Sequence, residues 1–161
     1  MTTYTPIDGP GREAADRFLE AQWGSPFMAV RGRLFDLRTL PGFIAWEDGA
    51  IEGMITFEVR GATCEVLSLD SLRENRGVGS ALLGRVVALA RKRGCARVMV
   101  VTTNDNVRAI RFYQRRGFDL TGLDRDAVTR ARALKPSIPM MSPDGIPIRH
   151  ELTFELDLTQ D

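Results

Sequence analysis

The chain has 161 residues, of which 43% are hydrophobic and 27% are charged. These are ordinary globular values, so they exclude a disordered chain and a coiled-coil rod, and the length suits a single domain over residues 1–161. Lys and Arg number 22 against 21 Asp and Glu, and the resulting net charge of +1 argues against nucleic acid or an anionic membrane as the main partner.

Cysteine and histidine are too few for a metal centre. Cys64 and Cys95 are 31 residues apart, and His150 is the one histidine. This spacing excludes CxxC zinc and redox motifs, so we expect no bound metal. The N-terminus has no basic segment followed by an apolar one, and no apolar run approaches the roughly 18 residues of a membrane span. We therefore expect a cytoplasmic protein without a signal peptide.

The first half of the chain predicts one helix and then antiparallel strands. The predicted elements are a helix over 16–23 that ends at Gly24, and strands over 43–47, 51–60 and 64–69. The turn Asp48-Gly49 joins the first two strands as a hairpin. Residues 25–40 mix basic and apolar side chains without a clear period, so they predict no element.

The second half predicts strands that alternate with helices. The predicted elements are helices over 77–93, 106–116 and 124–134, and strands over 97–102 and 151–158. The β-branched run at 97–102 is typical of a strand covered on both faces, whereas the last strand alternates and is expected to be antiparallel. Residues 136–149 hold four of the eight prolines and predict a long loop.

A glycine-containing loop lies where the third predicted strand meets the second predicted helix. Residues 74–79 read ENRGVG and open that helix. Free backbone N–H groups at a helix start form an anion site, and Gly77 and Gly79 let a phosphate approach the main chain. The alternative is a glycine pair that only eases a tight turn between strand and helix.

Two nucleotide-binding motifs are excluded at this loop. A Walker loop requires Lys and then Ser or Thr after its last glycine, but Arg85 and Val86 follow Gly84. A dinucleotide fingerprint requires a third glycine, but Leu82 stands there. A phosphate ligand of another kind has to be considered.

The next helix carries a second pair of candidate residues. Asn106 and Tyr113 are separated by seven positions, nearly two turns, so their side chains share one helix face roughly 10 Å apart. The alternative interpretation is an N-terminal amide cap and a core tyrosine whose hydroxyl reaches the surface.

Together these segments resemble the GNAT superfamily of N-acyltransferases, most closely over residues 67–118. The family's first motif, [RQ]-x-x-G-x-[GA], is matched by residues 74–79 except that Glu74 replaces Arg or Gln. Its second motif, N-x-x-A-[IL]-x-x-Y-x-x-x-G-F, is matched in full by residues 106–118, which read NVRAIRFYQRRGF. The resemblance implies an α/β (α+β) fold with a mixed, mostly antiparallel sheet of about six or seven strands and helices on both faces.

The resemblance also implies acetyl-CoA as co-substrate. The pyrophosphate would sit on the backbone N–H groups of residues 75–80, and the pantetheine would pair with residues 69–71 where that strand separates from the 97–102 strand. The implied CoA contacts are Leu69, Ser71, Glu74, Asn75, Arg76, Gly77, Val78, Gly79, Ser80, Asn106 and Tyr113. The Glu74 carboxylate repels the phosphates by about 1 kcal/mol, which Arg73 and Arg76 can offset.

The implied reaction is direct attack of a primary amine on the thioester, with the oxyanion held by a backbone N–H near residue 69. Tyr113 would hydrogen-bond the leaving thiolate, because a phenol with a pKa of about 10 protonates a thiolate of about 8.5 only at a cost of roughly 2 kcal/mol. Glu65 is the first candidate for the base, because acyltransferases of this type can carry a glutamate on that strand, and His150 is the second. For Glu65 the alternative is a solvent-facing strand residue.

The sequence does not identify the acceptor or the partners. A polyamine, an aminoglycoside, an amino acid, or a protein lysine or N-terminus all fit, so the acceptor is either a small molecule or a peptide. The loop over 136–149 could cover the acceptor, pack under the domain or contact a second subunit in a homodimer. The rival function is a non-catalytic acyl-CoA-binding sensor or interaction module, which Glu74 favours, whereas Asn106 with Tyr113 favours catalysis.

Overall fold

The computed structural model describes residues 1–73 and 76–160. Within these ranges the elements are, in chain order, β1 (Thr3–Pro6), α1 (Gly9–Trp23), β2 (Phe27–Val30), β3 (Arg33–Asp36), β4 (Gly42–Glu47), β5 (Ala50–Arg60), β6 (Thr63–Ser71), α2 (Val78–Lys92), β7 (Arg97–Thr103), α3 (Val107–Arg115), β8 (Asp119–Asp124), α4 (Ala127–Ala131) and β9 (Glu151–Asp157). A short 3-10 turn, Leu37–Thr39, joins β3 to β4.

Seven strands form one sheet in the order β1-β4-β5-β6-β7-β9-β8, while β2 and β3 form a separate hairpin. Within the sheet, β6 and β7 run parallel because α2 connects them, and the other neighbours run antiparallel. The mixed, mostly antiparallel sheet of six or seven strands is therefore confirmed.

Helices cover both faces of the sheet, and each face has its own apolar cluster. We call the face packed by α2 and α3 the α2 face; Phe57 and Leu82 lie fully buried in its cluster. The α1 face is packed by α1 and the β2–β3 hairpin, with Leu19 and Met54 fully buried. At roughly 1.5–3 kcal/mol for each large apolar side chain, this burial is the main favourable term in folding.

The helix α2 forms where the sequence has a broad apolar stripe. Its buried residues recur along one side: Val78, Leu82, Leu83, Val86 and Ala90. Basic residues occupy its last turn, where they oppose the negative end of the helix dipole, and Gly94 follows with a φ of 75°. The predicted helices over 77–93 and 106–116 thus correspond to α2 and α3 within one residue at each end.

The N-terminal region differs from the sequence-based expectation. The first helix begins at Gly9 rather than at residue 16, because Pro10 lies in its first turn, where a fixed φ and a missing N–H favour a helix start. Residues 25–40 contain the β2–β3 hairpin, which turns tightly at Arg31 and Gly32, with φ of 51° and 71°. A strand β1 also precedes α1 and pairs with β4.

A second difference lies before the C-terminal loop. The predicted start of a helix at residue 124 is wrong, because β8 extends to Asp124 and α4 spans only Ala127–Ala131. β8 is an edge strand, and its Leu120 and Leu123 are more than half exposed. It therefore lacks the alternation of buried apolar and exposed polar residues by which a strand is predicted from sequence. Among the described residues, no helix combines the length and apolarity that a membrane span requires.

Candidate functional site

The two central parallel strands are paired over only part of their length. The register joins β6 and β7 from the pair Thr63–Arg97 to the pair Val66–Val100. Beyond this point β6 remains paired with β5 as far as Ser71, and β7 remains paired with β9 as far as Thr103. We call the opening between residues 67–71 and 101–103 the β6–β7 gap.

A β-bulge lies where this gap begins. Phe57 opposes Val66 and Thr56 opposes Ser68, so Leu67 is an extra residue in β6. A bulge bends its strand and re-aims the residues after it, which accounts for the departure of β6 from β7. The buried hydroxyl groups of Thr56 and Ser68, with oxygens 2.6 Å apart, tie the bulged segment to β5. The main chain of β6 that faces the gap is therefore a strand edge, which an extended ligand can pair with.

The loop after β6 leads into the first turn of α2. Gly77 is the N-cap residue, with a φ of 77°, a left-handed conformation that glycine adopts without strain. Its carbonyl accepts a hydrogen bond from Ala81 N at 3.0 Å. The N–H groups of residues 78–80 have no acceptor earlier in the helix, and no acidic residue lies in this turn, so the turn can bind an anion. Glu74 and Asn75, two predicted CoA contacts, lie outside the described residues.

Gly79 has a different role from Gly77. A Cβ built on Gly79 would lie 3.4 Å from the Phe112 ring, so the small residue lets α3 pack closely against the first turn of α2. Among the described residues, a Cβ on Gly77 would meet nothing within 4 Å, so what favours glycine there is the left-handed backbone conformation.

Between the first turn of α2 and α3 lies a groove of about 330 Å³ that is rich in arginine. The arginines that line it are Arg73, Arg76, Arg108, Arg111, Arg115 and Arg116. The Arg116 Nε donates to Ser80 Oγ at 2.8 Å, and its guanidinium lies 3.7 Å from the centre of the Phe112 ring. In a chain whose net charge is +1, this concentration of cations is local and suits a polyanionic ligand.

The α3 arginines of this groove were not among the residues singled out from the sequence. Arg108, Arg111 and Arg115 are spaced by three and four positions, which places them on one side of a helix. That spacing is visible in the sequence, so it was a usable signal for an anion-binding face.

Asn106 and Tyr113 lie at the start and near the end of α3, and their side chains have different surroundings. Asn106 Oδ1 accepts a hydrogen bond from Ala109 N at 3.1 Å and so caps the helix. Tyr113 is only 5% exposed and packs against the rings of Phe118 and Phe154, whose centres lie 5.3 and 6.3 Å from its own. Burial raises the pKa of the Tyr113 phenol above its usual value, so the phenol is neutral and able to donate a hydrogen bond at physiological pH.

Glu65 lies before the bulge, where β6 is still paired with β7, and its side chain is buried. The guanidinium of Arg31, at the tip of the β2–β3 hairpin, donates to both carboxylate oxygens, with Nε 3.0 Å from Oε2. This hydrogen bond and the charge of Glu65 raise the pKa of Arg31. The Arg31 N–H also points at the Glu151 carboxylate, 3.2 and 3.3 Å from its two oxygens. Glu65 is thus part of an anchor for the hairpin.

His150 lies at the start of β9, beside α4. Its Nδ1 accepts a hydrogen bond from Asp126 N at 2.9 Å. The main-chain N–H of His150 donates a hydrogen bond to Asn104 Oδ1 at 2.8 Å. These contacts hold the tight turn before α4, where Asp126 has a φ of 60°.

The long C-terminal loop over residues 136–149 is tied to the domain by hydrogen bonds. Arg132 donates to the carbonyls of Ile138 and Ile148 at 3.2 and 2.8 Å. Asn104 Nδ2 donates to Pro147 O at 2.9 Å. Met140 and Met141, in contrast, lie in the middle of the loop and are exposed.

The cysteines and the acidic residues form no metal centre in the described part of the chain. No group of three or more His, Cys, Asp and Glu side chains within residues 1–73 and 76–160 could hold an ion. Cys64 and Cys95 are buried free thiols, and burial raises the pKa of Cys64 to about 12, which keeps its thiol protonated and unreactive.

Comparisons with known proteins agree with this geometry. A family model described as "Acetyltransferase (GNAT) family" matches residues 11–118. "Uncharacterized protein YdhI" of Bacillus subtilis (strain 168) is 46% identical over 138 residues, which are 85% of this chain and 86% of that protein.

Solved structures share the fold at lower sequence identity. The IAA acetyltransferase from Bacillus cereus ATCC 14579 superposes with a TM-score of 0.77 at 20% identity, covering 98% of this chain and 100% of the other. A Bacillus subtilis acetyltransferase in complex with CoA gives a TM-score of 0.71 at 17% identity, covering 98% of this chain and 99% of the other. The matched family model and the YdhI relative, together with the two sequence motifs, establish that the chain belongs to the acetyltransferase (GNAT) family.

Proposed function

We propose that the chain is an acetyl-CoA-dependent N-acetyltransferase that acts on a primary amine. The observation that carries this proposal is the β6–β7 gap, which has the arginine-lined groove at one end and the Tyr113 helix beside it. The arginine-lined groove suits phosphates, and the open edge of β6 that adjoins it suits an extended chain with amide groups. A ligand that fits both has phosphates at one end and amides along the other. CoA has that chemistry, and the Bacillus subtilis structure named above holds CoA.

The phosphates would bind at the first turn of α2. The N–H groups of Val78, Gly79 and Ser80 would donate to the pyrophosphate, and the arginines of the groove would neutralise its charge. A hydrogen bond to a charged group contributes about 1.5–3 kcal/mol, so a few of them suffice for micromolar binding. Arg76 and the pair Glu74 and Asn75 complete the loop in this proposal.

The pantetheine would pair with the main chain of β6 beyond the bulge. Leu69 and Ser71 lie there, and in β-strand addition the main chain provides the hydrogen bonds. A backbone N–H of the same segment would donate to the oxyanion that forms when the amine attacks the carbonyl carbon. Removing one such donor typically costs about 3–4 kcal/mol of transition-state stabilisation.

Tyr113 would act as a hydrogen-bond donor to the departing sulfur. Its raised pKa keeps the proton on the phenol and makes full transfer to a thiolate more uphill. The rings of Phe118 and Phe154 fix its position. Asn106 would contribute through the cap that sets where α3 begins, and through its amide N–H₂ toward CoA.

The experiment measures thiol release from acetyl-CoA with a panel of amines: putrescine, kanamycin, lysine and a lysine-containing peptide. We expect a rate above the amine-free control with at least one of them, and a rise in melting temperature with CoA. A melting-temperature rise without turnover of any amine would contradict catalysis and support the acyl-CoA sensor. No rise and no turnover would contradict CoA binding altogether.

A further inference from the structure

Asp70 is an acidic residue on β6 that neither family motif includes. It lies beyond the last β6–β7 pair and therefore beside the β6–β7 gap. In the β5–β6 register it opposes Met54, whose side chain is buried in the cluster of the α1 face. Residues directly opposite in an antiparallel pair point to the same face, so the Asp70 carboxylate lies on the α1 face.

One oxygen of this carboxylate is held by a tryptophan. Trp23 Nε1, at the end of α1, donates to Asp70 Oδ2 at 2.9 Å. Within the described residues, the other oxygen, Oδ1, accepts no hydrogen bond. Trp23 is 38% exposed, so this corner of the gap can be reached from solvent. Burial raises the pKa of Asp70, and the bond from Trp23 acts in the opposite direction.

Asp70 differs from the three other acidic residues of β5 and β6, each of which has an arginine partner. Those pairs are Glu52 with Arg73 at 2.8 Å, Glu58 with Arg33 at 3.4 Å, and Glu65 with Arg31. Asp70 has no such partner among residues 1–73 and 76–160. A half-buried carboxylate without a cation is costly, so it favours any cation that is brought to it.

Tyr113 belongs to the opposite face of the sheet, since it packs in the cluster of the α2 face. A thioester in the β6–β7 gap would thus have a carboxylate on one side and a phenol on the other. The attacking amine and the departing sulfur are two different substituents of the tetrahedral carbon, so each can be served by a group on its own side of the gap. The two faces therefore separate the nucleophile from the leaving group.

We infer that Asp70 captures the acceptor as a cationic primary ammonium group on the α1 face and takes up the proton that the amine must lose before it attacks. This inference rests on the proposed function and adds the substrate class, which is an amine that is protonated in solution. Trp23, which contacts Asp70, provides an aromatic surface that attracts cations. Glu65 and His150, which are engaged with Arg31 and Asp126, are the competing candidates for the base.

The protons and electrons of this step balance. The Asp70 carboxylate takes one proton from the ammonium group, and the freed lone pair forms the C–N bond to the carbonyl carbon. The C–S bond then breaks and the sulfur keeps its electron pair. A second proton leaves the nitrogen as the amide forms and ends on the thiolate. The products are the amide, the CoA thiol and one proton that Asp70 releases to water.

The test compares Asp70→Asn with the unmodified chain on two kinds of nucleophile. Asparagine keeps the size and an oxygen that can accept from Trp23, but it cannot take up a proton. The cationic nucleophile is the panel amine that the unmodified chain turns over fastest, and the neutral one is hydroxylamine, which is largely unprotonated at pH 7.5. Glu58→Gln, on the neighbouring strand, is the matched control, and the CoA-dependent rise in melting temperature reports folding and cofactor binding.

We expect Asp70→Asn to lower kcat/KM for the cationic amine by about 100-fold or more, and that for hydroxylamine by less than about 5-fold. CoA stabilisation should be retained, and Glu58→Gln should match the unmodified chain. Equal losses with both nucleophiles, or no loss, would overturn the role of Asp70 but leave the proposed function standing. If Asp70→Asn does not fold, Asp70→Glu replaces it and should retain turnover of the cationic amine; loss with both nucleophiles would overturn the inference. No turnover of any amine by the unmodified chain would overturn both.

Discussion

Arg31 and Glu65 join the tip of the β2–β3 hairpin to the middle of the sheet, with Arg31 Nε 3.0 Å from Glu65 Oε2. The two residues are separated by 34 positions in the chain, and only 6% of the Glu65 side chain is exposed. The pair therefore joins the hairpin to the sheet, together with the contacts of Arg31 N with Glu151 and of Arg33 with Glu58. It has a direct consequence for stability.

Glu65→Gln should lower the free energy of unfolding by about 1–3 kcal/mol, because it leaves the partly buried Arg31 cation without its counter-charge. Urea denaturation measures this change. Glu58→Gln is the control, since its pair with Arg33 at 3.4 Å is more exposed and should cost less than about 1 kcal/mol. Equal effects of the two variants would contradict an anchoring role for Glu65.

Gly77→Ala should weaken CoA binding and lower stability. The left-handed backbone of Gly77 costs an alanine about 1–2 kcal/mol, and any relaxation of the turn moves the N–H groups of α2. Isothermal calorimetry should show a Kd at least about five-fold higher. Gly84→Ala is the control, because Gly84 lies within α2 with nothing near its Cβ position, and it should stabilise the helix without changing the Kd. An unchanged Kd for Gly77→Ala would contradict the role of this loop.

Tyr113→Phe should lower kcat by ten-fold or more, with little change in CoA affinity, because it removes the donor to the thiolate and keeps the ring packing. The raised pKa of Tyr113 also means that the phenol stays protonated as the pH rises to 10, so it predicts no loss of kcat from this group up to that pH. Tyr4→Phe, at the only other tyrosine, is the control. Steady-state kinetics of the unmodified chain, Tyr113→Phe and Tyr4→Phe measure this effect. Equal kcat values for all three would contradict a role of Tyr113 in the reaction.

Arg111→Ala should raise the Kd for CoA and reduce its dependence on salt, because it removes one cation from the groove. Arg91→Ala, in the last turn of α2, changes the net charge equally at a distance from the groove. We expect an effect of about ten-fold from the first variant and less than about two-fold from the second. Similar effects would indicate that overall charge, rather than the groove, attracts CoA.

Glu151→Gln should flatten the dependence of stability on pH. Burial raises the pKa of Glu151 above its usual 4.5, so the folded state binds this proton more tightly than the unfolded state. Its contribution to stability is therefore fully present below pH 4.5 and is lost as the pH rises through the raised value. Unfolding free energies measured from pH 4 to 7 test this. A decline that is as steep in the variant would contradict the assignment to Glu151.

The local parts of the site could be predicted from the sequence. The loop at Gly77, the helix α2 and the cap at Asn106 each depend on a few consecutive residues, so each is among the interpretations that the sequence supports. The bulge also has a local signal, because Val66 and Leu67 are consecutive apolar residues in a strand that otherwise alternates.

The contacts between distant segments could not be predicted in the same way. Trp23 meets Asp70 across 47 positions, and Arg31 meets Glu65 only because the β2–β3 hairpin folds over the α1 face. Residues 25–40 have no period that would place this hairpin, so Arg31 could not be assigned to Glu65. Trp23 lies at the end of a predicted helix, but how that helix packs on the sheet is not a local property of the sequence. The roles of the acidic residues of β6 therefore depend on tertiary structure.

The most direct test is a crystal structure of the chain with CoA bound. We predict that the pyrophosphate contacts the main-chain N–H groups of residues 78–80, and that the pantetheine runs along residues 67–71 with its sulfur between Asp70 and Tyr113. Density for CoA that leaves the β6–β7 gap empty, or that places the sulfur away from both side chains, would contradict it.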